Sequence, residues 1–236
     1  MVTTNIDRGC GKVETAEDGI SAGNGDTIPV CNLALNPLLS TPAPWAEIVP
    51  GVGPMTVDEL EAWPDDGWQY ELVRGVLVRM PFSGYEASNI AARLLIRLGA
   101  YAEDHELGAA TGANGGYRPD PVHPKETELA PDVAFVRADR IPARGSPDYQ
   151  KALRLAPDLA VEVVSPSQSR RVLAAKASLF LSFGMRLGWV VLPKQRQVDI
   201  FRPGDSGPSA TLGLGDTLDG EDVIPGFSYP VATLFR

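Results

Sequence analysis

Three charged residues in the second half of the chain have the types and spacing that could bind a metal ion and act on a phosphate: Asp132, Glu162 and Lys176. Glu162 interrupts the apolar run 159–164, which has the length and composition of a buried strand. A buried carboxylate without a partner is costly, so Glu162 requires a cation, a metal ion or a raised pKa. Lys176 supplies a cation on the helix that is predicted to follow this strand.

Asp132 provides a second carboxylate at the start of another short strand. It follows Pro131 and precedes the apolar residues 133–136, and a proline is tolerated at the opening of a strand. Two carboxylates near one edge of neighbouring strands can hold a hard divalent ion, with waters and substrate phosphate completing the shell. Such an ion neutralises phosphate charge and activates a water molecule, while a nearby lysine stabilises charge in the transition state.

Each of these residues also has a purely structural interpretation. Glu162 and Lys176 could form an ion pair in the core, and Asp132 could cap a turn after Pro131. Considered singly, Glu71 is predicted to be a solvated residue of an earlier strand. The functional interpretation is favoured because an acid within a buried strand is unusual.

Composition indicates one ordinary globular domain and excludes several classes of site. The chain has 236 residues, of which 44% are hydrophobic and 22% charged, enough for one sizeable core. No apolar run approaches the length of a membrane span, and the N-terminus lacks the layout of a secretory signal, so a cytoplasmic location is predicted. Cys10 and Cys31 have no metal-ligand spacing, and His105 and His123 form neither a zinc motif nor a convincing triad.

The charge of the chain is unevenly distributed. A net charge of −9 argues against nucleic acid at first, since affinity for a phosphate backbone comes mostly from Lys and Arg. Residues 165–202, however, contain seven basic residues and one acid. This locally basic segment permits a phosphate substrate without demonstrating one, and a solvated basic face is the simpler explanation for any single residue.

Hydrophobic periodicity predicts a single α/β (α+β) domain around a mixed sheet. Residues 1–53 are predicted to be a mostly disordered acidic leader, and residues 54–236 the folded domain. A helix is expected after Thr56, with a capping box at Glu59. The remaining expectations are a hairpin over 68–80, a helix over 85–105, strands at 133–136, 159–164, 188–192 and 198–201, a helix from 168, and an edge hairpin or cap over 217–227. The Gly-rich segment 108–116 is predicted to be a turn or a close backbone approach, and residues 148–153 a short helical turn.

Several short motifs, in this order and at these spacings, resemble the Uma-two family of restriction endonucleases within the PD-(D/E)XK nuclease superfamily. The resemblance covers about residue 54 to the C-terminus. Its motifs are Tyr70-Glu71-Leu72-x-x-Gly75, Pro131-Asp132, Val161-Glu162-Val163-Val164-Ser165-Pro166-Ser167, Arg170-Arg171-x-Leu173-x-x-Lys176, Gly184, Trp189-Val190-Val191 and Pro225-Gly226-Phe227.

The resemblance implies a restriction-endonuclease-like mixed sheet flanked by helices, and an endonuclease that hydrolyses DNA phosphodiester bonds with a metal-activated water. It implies Asp132 and Glu162 as ligands of Mg²⁺, with Mn²⁺ as an alternative ion, and Glu71 as an auxiliary acid. The superfamily's plainest form has its lysine two residues after the second acid, where this chain has Val164, so Lys176 takes that role. A homodimer is expected by analogy, because two strands must be cut.

The chain also departs from the family pattern. Val172 stands where an aspartate usually precedes the lysine, Tyr85 stands near a common histidine, and Leu192-Pro193 replaces Asp-Pro. These departures keep two alternatives open. One is a catalytically weakened relative acting as a DNA-binding or protein-interaction module, and the other is a metal-dependent hydrolase of a different phosphate substrate.

Overall fold

The computed structural model describes residues 47–80, 83–166 and 168–236. Most of the predicted leader therefore lies outside the described residues. Strand β1 (Glu47–Ile48) pairs with a later strand, so regular structure is present six residues before the boundary predicted at residue 53. The division of the chain into a leader and one domain stays a prediction.

Three α-helices and eleven strands occur in the described part of the chain. The helices are α1 (Val57–Glu61), α2 (Tyr85–Asp104) and α3 (Arg170–Ser182). The strands after β1 are β2 (Gln69–Val73), β3 (Val76–Met80), β4 (Gly108–Gly112), β5 (Val133–Arg137), β6 (Leu159–Val163), β7 (Leu187–Leu192), β8 (Gln197–Phe201), β9 (Ala210–Leu212), β10 (Thr217–Asp219) and β11 (Ser228–Pro230).

The main sheet has six strands in the order β4-β5-β6-β7-β8-β9. Only β6 and β7 run parallel to each other, and α3 is the crossover between them. The predicted mixed sheet flanked by helices is thus confirmed. The crossover also explains how a strand acid and a helix lysine come to face each other.

The two faces of β6 pack against different helices, as strand alternation predicts. Leu159, Val161 and Val163 belong to the core cluster that includes the apolar stripe of α2. Ala160 belongs instead to the cluster formed with α3. Glu162 lies on this second face, so its side chain points towards the helix that carries Lys176.

A smaller sheet in the order β1-β3-β2 forms the N-terminal part of the fold. Its β2–β3 hairpin turns at Arg74-Gly75, whose φ angles of 47° and 80° suit a tight turn with left-handed backbone. The hairpin attaches to the rest of the molecule through backbone hydrogen bonds between residue 72 and residue 128 and from Gly75 to Glu126. The predicted hairpin is confirmed, as is the capping box between Thr56 and Glu59 at the start of α1.

The Gly-rich segment and the short helix are corrected by the structure. Residues 108–112 form strand β4, because the small side chains let this strand pair with β5 under α2. The expected close approach does occur within it: a Cβ on Gly108 would lie 2.1 Å from the carbonyl oxygen of Val136. Residues 148–153 contain hydrogen-bonded turns and bends but no helix, with Tyr149 donating to the Ser146 carbonyl.

The tail forms a hairpin, but with a different second strand from the one predicted. Strand β10 pairs with β11, so residues 223–227 lie in the connection between them. Val223, Ile224 and Phe227 in that connection are buried against the α2 face of the main sheet. Their apolar character therefore reflects burial in a loop and not strand formation.

No helix in the described residues combines the length and the apolar character needed to cross a lipid bilayer.

Candidate active site

Lys176 is the centre of a buried charge cluster. Its ammonium nitrogen Nζ lies 2.8 Å from Oε1 of Glu71 and 2.9 Å from Oε1 of Glu162. It also donates a hydrogen bond of 3.1 Å to the carbonyl oxygen of Ala130, next to the Pro131-Asp132 motif. Only 2% of the lysine side chain is exposed, so these contacts take place with little solvent screening.

The burial of Glu71 corrects the prediction that this residue is solvated. Its exposure is only 1%, because β2 presents it on the same face as Val73, which packs against α3. Oε1 of Glu71 accepts a hydrogen bond of 2.8 Å from the backbone amide of Ala130. Oε2 is buried without a hydrogen-bond partner among the described residues. An apolar residue two positions along the strand was the sequence signal for this burial.

Asp132 sits at the mouth of the same cluster, immediately before β5. Its Oδ2 accepts a hydrogen bond of 2.7 Å from the backbone amide of Val163, which fixes the carboxylate beside the end of β6. The residue is half-buried, in contrast to Glu71 and Glu162. The structure therefore brings together all four residues selected from the sequence: Glu71, Asp132, Glu162 and Lys176.

The electrostatics of the cluster favour an added positive charge. Burial raises the pKa of Glu162 to about 8, with further increases from the charges of Asp132 and Glu71, while Lys176 opposes the shift. Burial likewise raises the pKa of Asp132. Burial alone would lower the pKa of Lys176, but the Glu162 and Glu71 carboxylates outweigh it and raise that pKa, so the lysine stays protonated at neutral pH. Three carboxylates and one ammonium carry a net charge of −2 when all are ionised.

A small cleft of about 40 Å³ opens onto Asp132, Glu162 and Lys176. That volume exceeds the roughly 10–15 Å³ needed for one water molecule, so the cleft can hold an ion with a few waters. Its lining comprises Gln69, Met80, Ser83, Ala113, Ala130, Asp132, Glu162, Gln168, Leu173 and Lys176. Of the residues missed from the sequence, Gln69, Ser83 and Gln168 are the polar ones, and no pattern singled them out.

The donor set fits a hard divalent cation better than a transition metal. Asp132 and Glu162 offer carboxylate oxygens, and Mg²⁺ is often held by one or two carboxylates with waters and substrate oxygens completing its shell. The excess of carboxylates over the single ammonium of Lys176 also fits such an ion. Within the described ranges, no group of three or more His, Cys, Asp or Glu residues surrounds a common metal position.

A second ion pair fixes the helix that carries Lys176. At the start of α3, Arg170 donates two hydrogen bonds of 2.6 Å to the carboxylate of Asp199 on β8. Asp199 is fully buried and also accepts a hydrogen bond from Thr211 on β9. Ser169 caps the same end of the helix through the amide of Val172. These contacts hold α3 against the sheet in the register that places Lys176 in the cleft.

Removal of the Arg170 side chain should destabilise the fold, because the buried carboxylate of Asp199 would keep only Thr211 as a hydrogen-bond partner among the described residues. We expect Arg170→Met to lower the free energy of unfolding by about 2–3 kcal/mol, measured by urea denaturation. Arg171→Met, at an exposed neighbouring position, is the matched control and should change it by less than about 0.5 kcal/mol. Equal effects of the two variants would show that the Arg170–Asp199 pair contributes little.

The three departures from the family pattern lie away from the cluster. Val172 is buried in the core between α3 and the sheet, so an apolar residue is suited to its position. Tyr85 is 87% exposed at the start of α2, and Leu192 is buried at the end of β7. None of them lines the cleft that is formed in part by Asp132, Glu162 and Lys176.

The mixed sheet with acids and a lysine gathered at the ends of its central strands defines an α/β protein of nuclease-like architecture. The chain belongs to the Uma2 family, described as "Putative restriction endonuclease", whose sequence model matches residues 57–232. The family expected from the sequence motifs is thereby confirmed.

A solved structure shares the fold. It is the crystal structure of "a putative nuclease belonging to DUF820" from Anabaena variabilis ATCC 29413, with a TM-score of 0.65 and 18% sequence identity. The similarity covers 77% of this chain and 98% of that protein. No curated protein matches the sequence.

Proposed function

We propose that this protein is a Mg²⁺-dependent endonuclease that hydrolyses phosphodiester bonds in DNA. The observation that carries the proposal is the contact of one buried ammonium, Lys176, with both Glu71 and Glu162 beside Asp132 in an open cleft. Buried charge of this kind costs stability, and such sites are commonly kept for function. Membership of a family described as restriction endonucleases supports the same reaction class.

The proposed roles follow from the position of each side chain. Asp132 and Glu162 would hold the ion, since their carboxylates are at the cleft. When bound, the ion would neutralise phosphate charge and acidify water at the site. Lys176 would stabilise charge on the phosphate as a fixed cation, because its raised pKa keeps it protonated and unsuited to act as a base. Glu71 would orient the lysine through their 2.8 Å ion pair.

The distribution of basic side chains supports a phosphate substrate close to the cleft. In the locally basic segment, Arg170, Arg186 and Arg202 are paired with acids, which reduces the excess inferred from the sequence. Lys194, however, is exposed and lines a second cleft of about 240 Å³ at the start of α3. Gln168 lines both clefts, so they adjoin. We propose that this second cleft carries the strand next to the scissile phosphate.

Plasmid nicking tests the proposal. Wild-type protein should nick supercoiled DNA with Mg²⁺ but not with EDTA, and Asp132→Asn and Glu162→Gln should each lower the rate at least about 100-fold, as expected for loss of an ion ligand. Asp139→Asn is the matched control, since this acid is exposed and pairs only with Arg137 in the described structure. Circular dichroism would establish that each variant is folded.

A non-catalytic DNA-binding or protein-interaction module is the second candidate function. It is favoured by the number of contacts that Lys176 already makes within the protein. Its ammonium contacts two carboxylates and a carbonyl oxygen, an arrangement that could serve only to close the core. If the wild type and the variants are equally inert with Mg²⁺ and Mn²⁺ while DNA still binds, the module is the correct function.

A further inference from the structure

A cleft of about 420 Å³ on the far side of the main sheet has arginines as three of its six lining residues. It lies between α2 and the C-terminal segment, and we refer to it as the arginine cleft. Its lining residues are Arg93, Ile96, Arg97, Tyr229, Thr233 and Arg236. Arg93 and Arg97 lie eight and twelve residues into α2, so the arginine cleft is about 12–18 Å along the helix from the end nearest the candidate active site.

The arginine side chains of this cleft have no acidic side chain as a partner among the described residues. None of its three arginines forms an ion pair with another described residue, and no acidic side chain lines it. Other arginines of the protein do have acidic partners: Arg118 contacts two glutamates, and Arg170 donates hydrogen bonds to both carboxylate oxygens of Asp199. In a chain with a net charge of −9, three arginine side chains without an acidic side-chain partner among the described residues thus lie together here.

Two of the arginines of the cleft lie close together on one helix. Arg93 and Arg97 are four residues apart on one helix, a spacing at which like charges repel each other. Arg93 is held in place by a hydrogen bond of 3.3 Å from its Nη1 to the carbonyl oxygen of Thr233. It therefore stays beside the other arginines of the cleft, and an anion bound there would relieve the repulsion.

We propose that the arginine cleft is a binding site for a phosphate-bearing ligand, separate from the candidate active site. Guanidinium groups match the geometry of phosphate oxygens and bind them in pairs of hydrogen bonds. The volume of the cleft lies within the range of small-ligand pockets. Ile96, which is 64% exposed, and Tyr229 add an apolar wall against which a sugar or base could pack. The phosphate can belong to a DNA backbone or to a free phosphorylated molecule.

Inorganic pyrophosphate is a suitable probe, measured by isothermal titration calorimetry in EDTA at a fixed salt concentration so that no metal contributes. Full-length wild-type protein should bind it, and Arg97→Gln should weaken binding at least about tenfold. The double variant Arg93→Gln/Arg97→Gln should abolish the heat signal. Arg97 is exposed, so its replacement should leave the fold intact, and the melting temperature would establish this.

The matched control is Arg144→Gln, another exposed arginine outside the arginine cleft, which should bind pyrophosphate like the wild type. Unchanged binding by the two cleft variants, or equal weakening by the control, would overturn the proposal. A short DNA duplex added as competitor identifies the source of the phosphate. Displacement of pyrophosphate points to a nucleic-acid backbone, and lack of displacement to a free phosphorylated ligand.

Discussion

Replacing Lys176 by methionine is expected to lower the free energy of unfolding by about 3–5 kcal/mol at pH 8, the cost typical of breaking a buried ion pair. The variant retains the carboxylates of Glu71 and Glu162, which are 1% and 4% exposed. Both lose their only cationic partner among the described residues and cannot be reached freely by water. Urea denaturation of the metal-free protein measures the loss.

The pH dependence of this loss of stability distinguishes its two possible causes, uncompensated charge on the glutamates and lost packing of the lysine side chain. Protonation of Glu162, whose pKa is raised by burial, removes its uncompensated charge, so the deficit of Lys176→Met should shrink as the pH falls from 8 to 5. A deficit that stays constant over this range would instead indicate lost packing of the lysine chain. Lys151→Met is the control: Lys151 is 58% exposed and 3.4 Å from Glu61, and exposed pairs contribute little.

The wild-type protein should itself become less stable as the pH rises from about 5 to 8 in the absence of metal. Burial raises the pKa of Glu162 to about 8 from its ordinary value of 4.5, with added contributions from the neighbouring acids. The folded state then binds a proton that the unfolded state has released, so the stabilisation is present below pH 4.5 and disappears through pH 8. The expected decrease is on the order of a few kcal/mol.

Surface carboxylates do not obscure this dependence of the free energy of unfolding on pH. Asp58, Glu59 and Glu61 have lowered pKa values because of hydrogen bonds to Lys125, Thr56 and Arg118 respectively. They are therefore ionised in both states above pH 5 and contribute no slope there.

A substitution and an added ion provide the controls. Glu162→Gln should reduce the slope of the pH profile, because it removes one of the two acids whose pKa is raised by burial, the other being Asp132. Mg²⁺ should raise the wild-type melting temperature more at pH 8 than at pH 5, because a larger fraction of Glu162 is ionised at pH 8 and a ligand that binds only the folded state stabilises it. A wild-type profile that is flat or rises with pH in EDTA would contradict the raised pKa of Glu162.

The local parts of this site could be predicted from the sequence because they depend on short-range patterns. Alternation along β6 placed the Glu162 side chain on the other face of the strand from Val161 and Val163. The helical period of α3 placed Lys176 beside the apolar stripe of that helix. Pro131 marked the start of the strand after Asp132. These patterns depend only on residues close in sequence, so tertiary contacts do not change what they predict.

What the sequence did not reveal depends on contacts between distant segments. Glu71 was predicted to be solvated because its strand was considered alone, whereas α3 covers the face that it occupies. The Arg170–Asp199 pair joins residues 29 positions apart, and the motif that contains Arg170 does not indicate Asp199 as its partner. Strand β4 was missed because its glycines and alanines have low strand propensity, and pairing with β5 overrides that preference.

The site draws on both sheets, with Glu71 supplied by β2 of the small sheet and Asp132 and Glu162 by the main sheet. A fragment beginning after Met80 would retain all six strands of the main sheet and α3, yet its lysine would have lost one carboxylate and its cleft one wall. Docking of the N-terminal hairpin is thus a requirement for assembling the charge cluster. Any partner or substitution that loosens the hairpin would act on the chemistry without touching the residues at the mouth of the cleft.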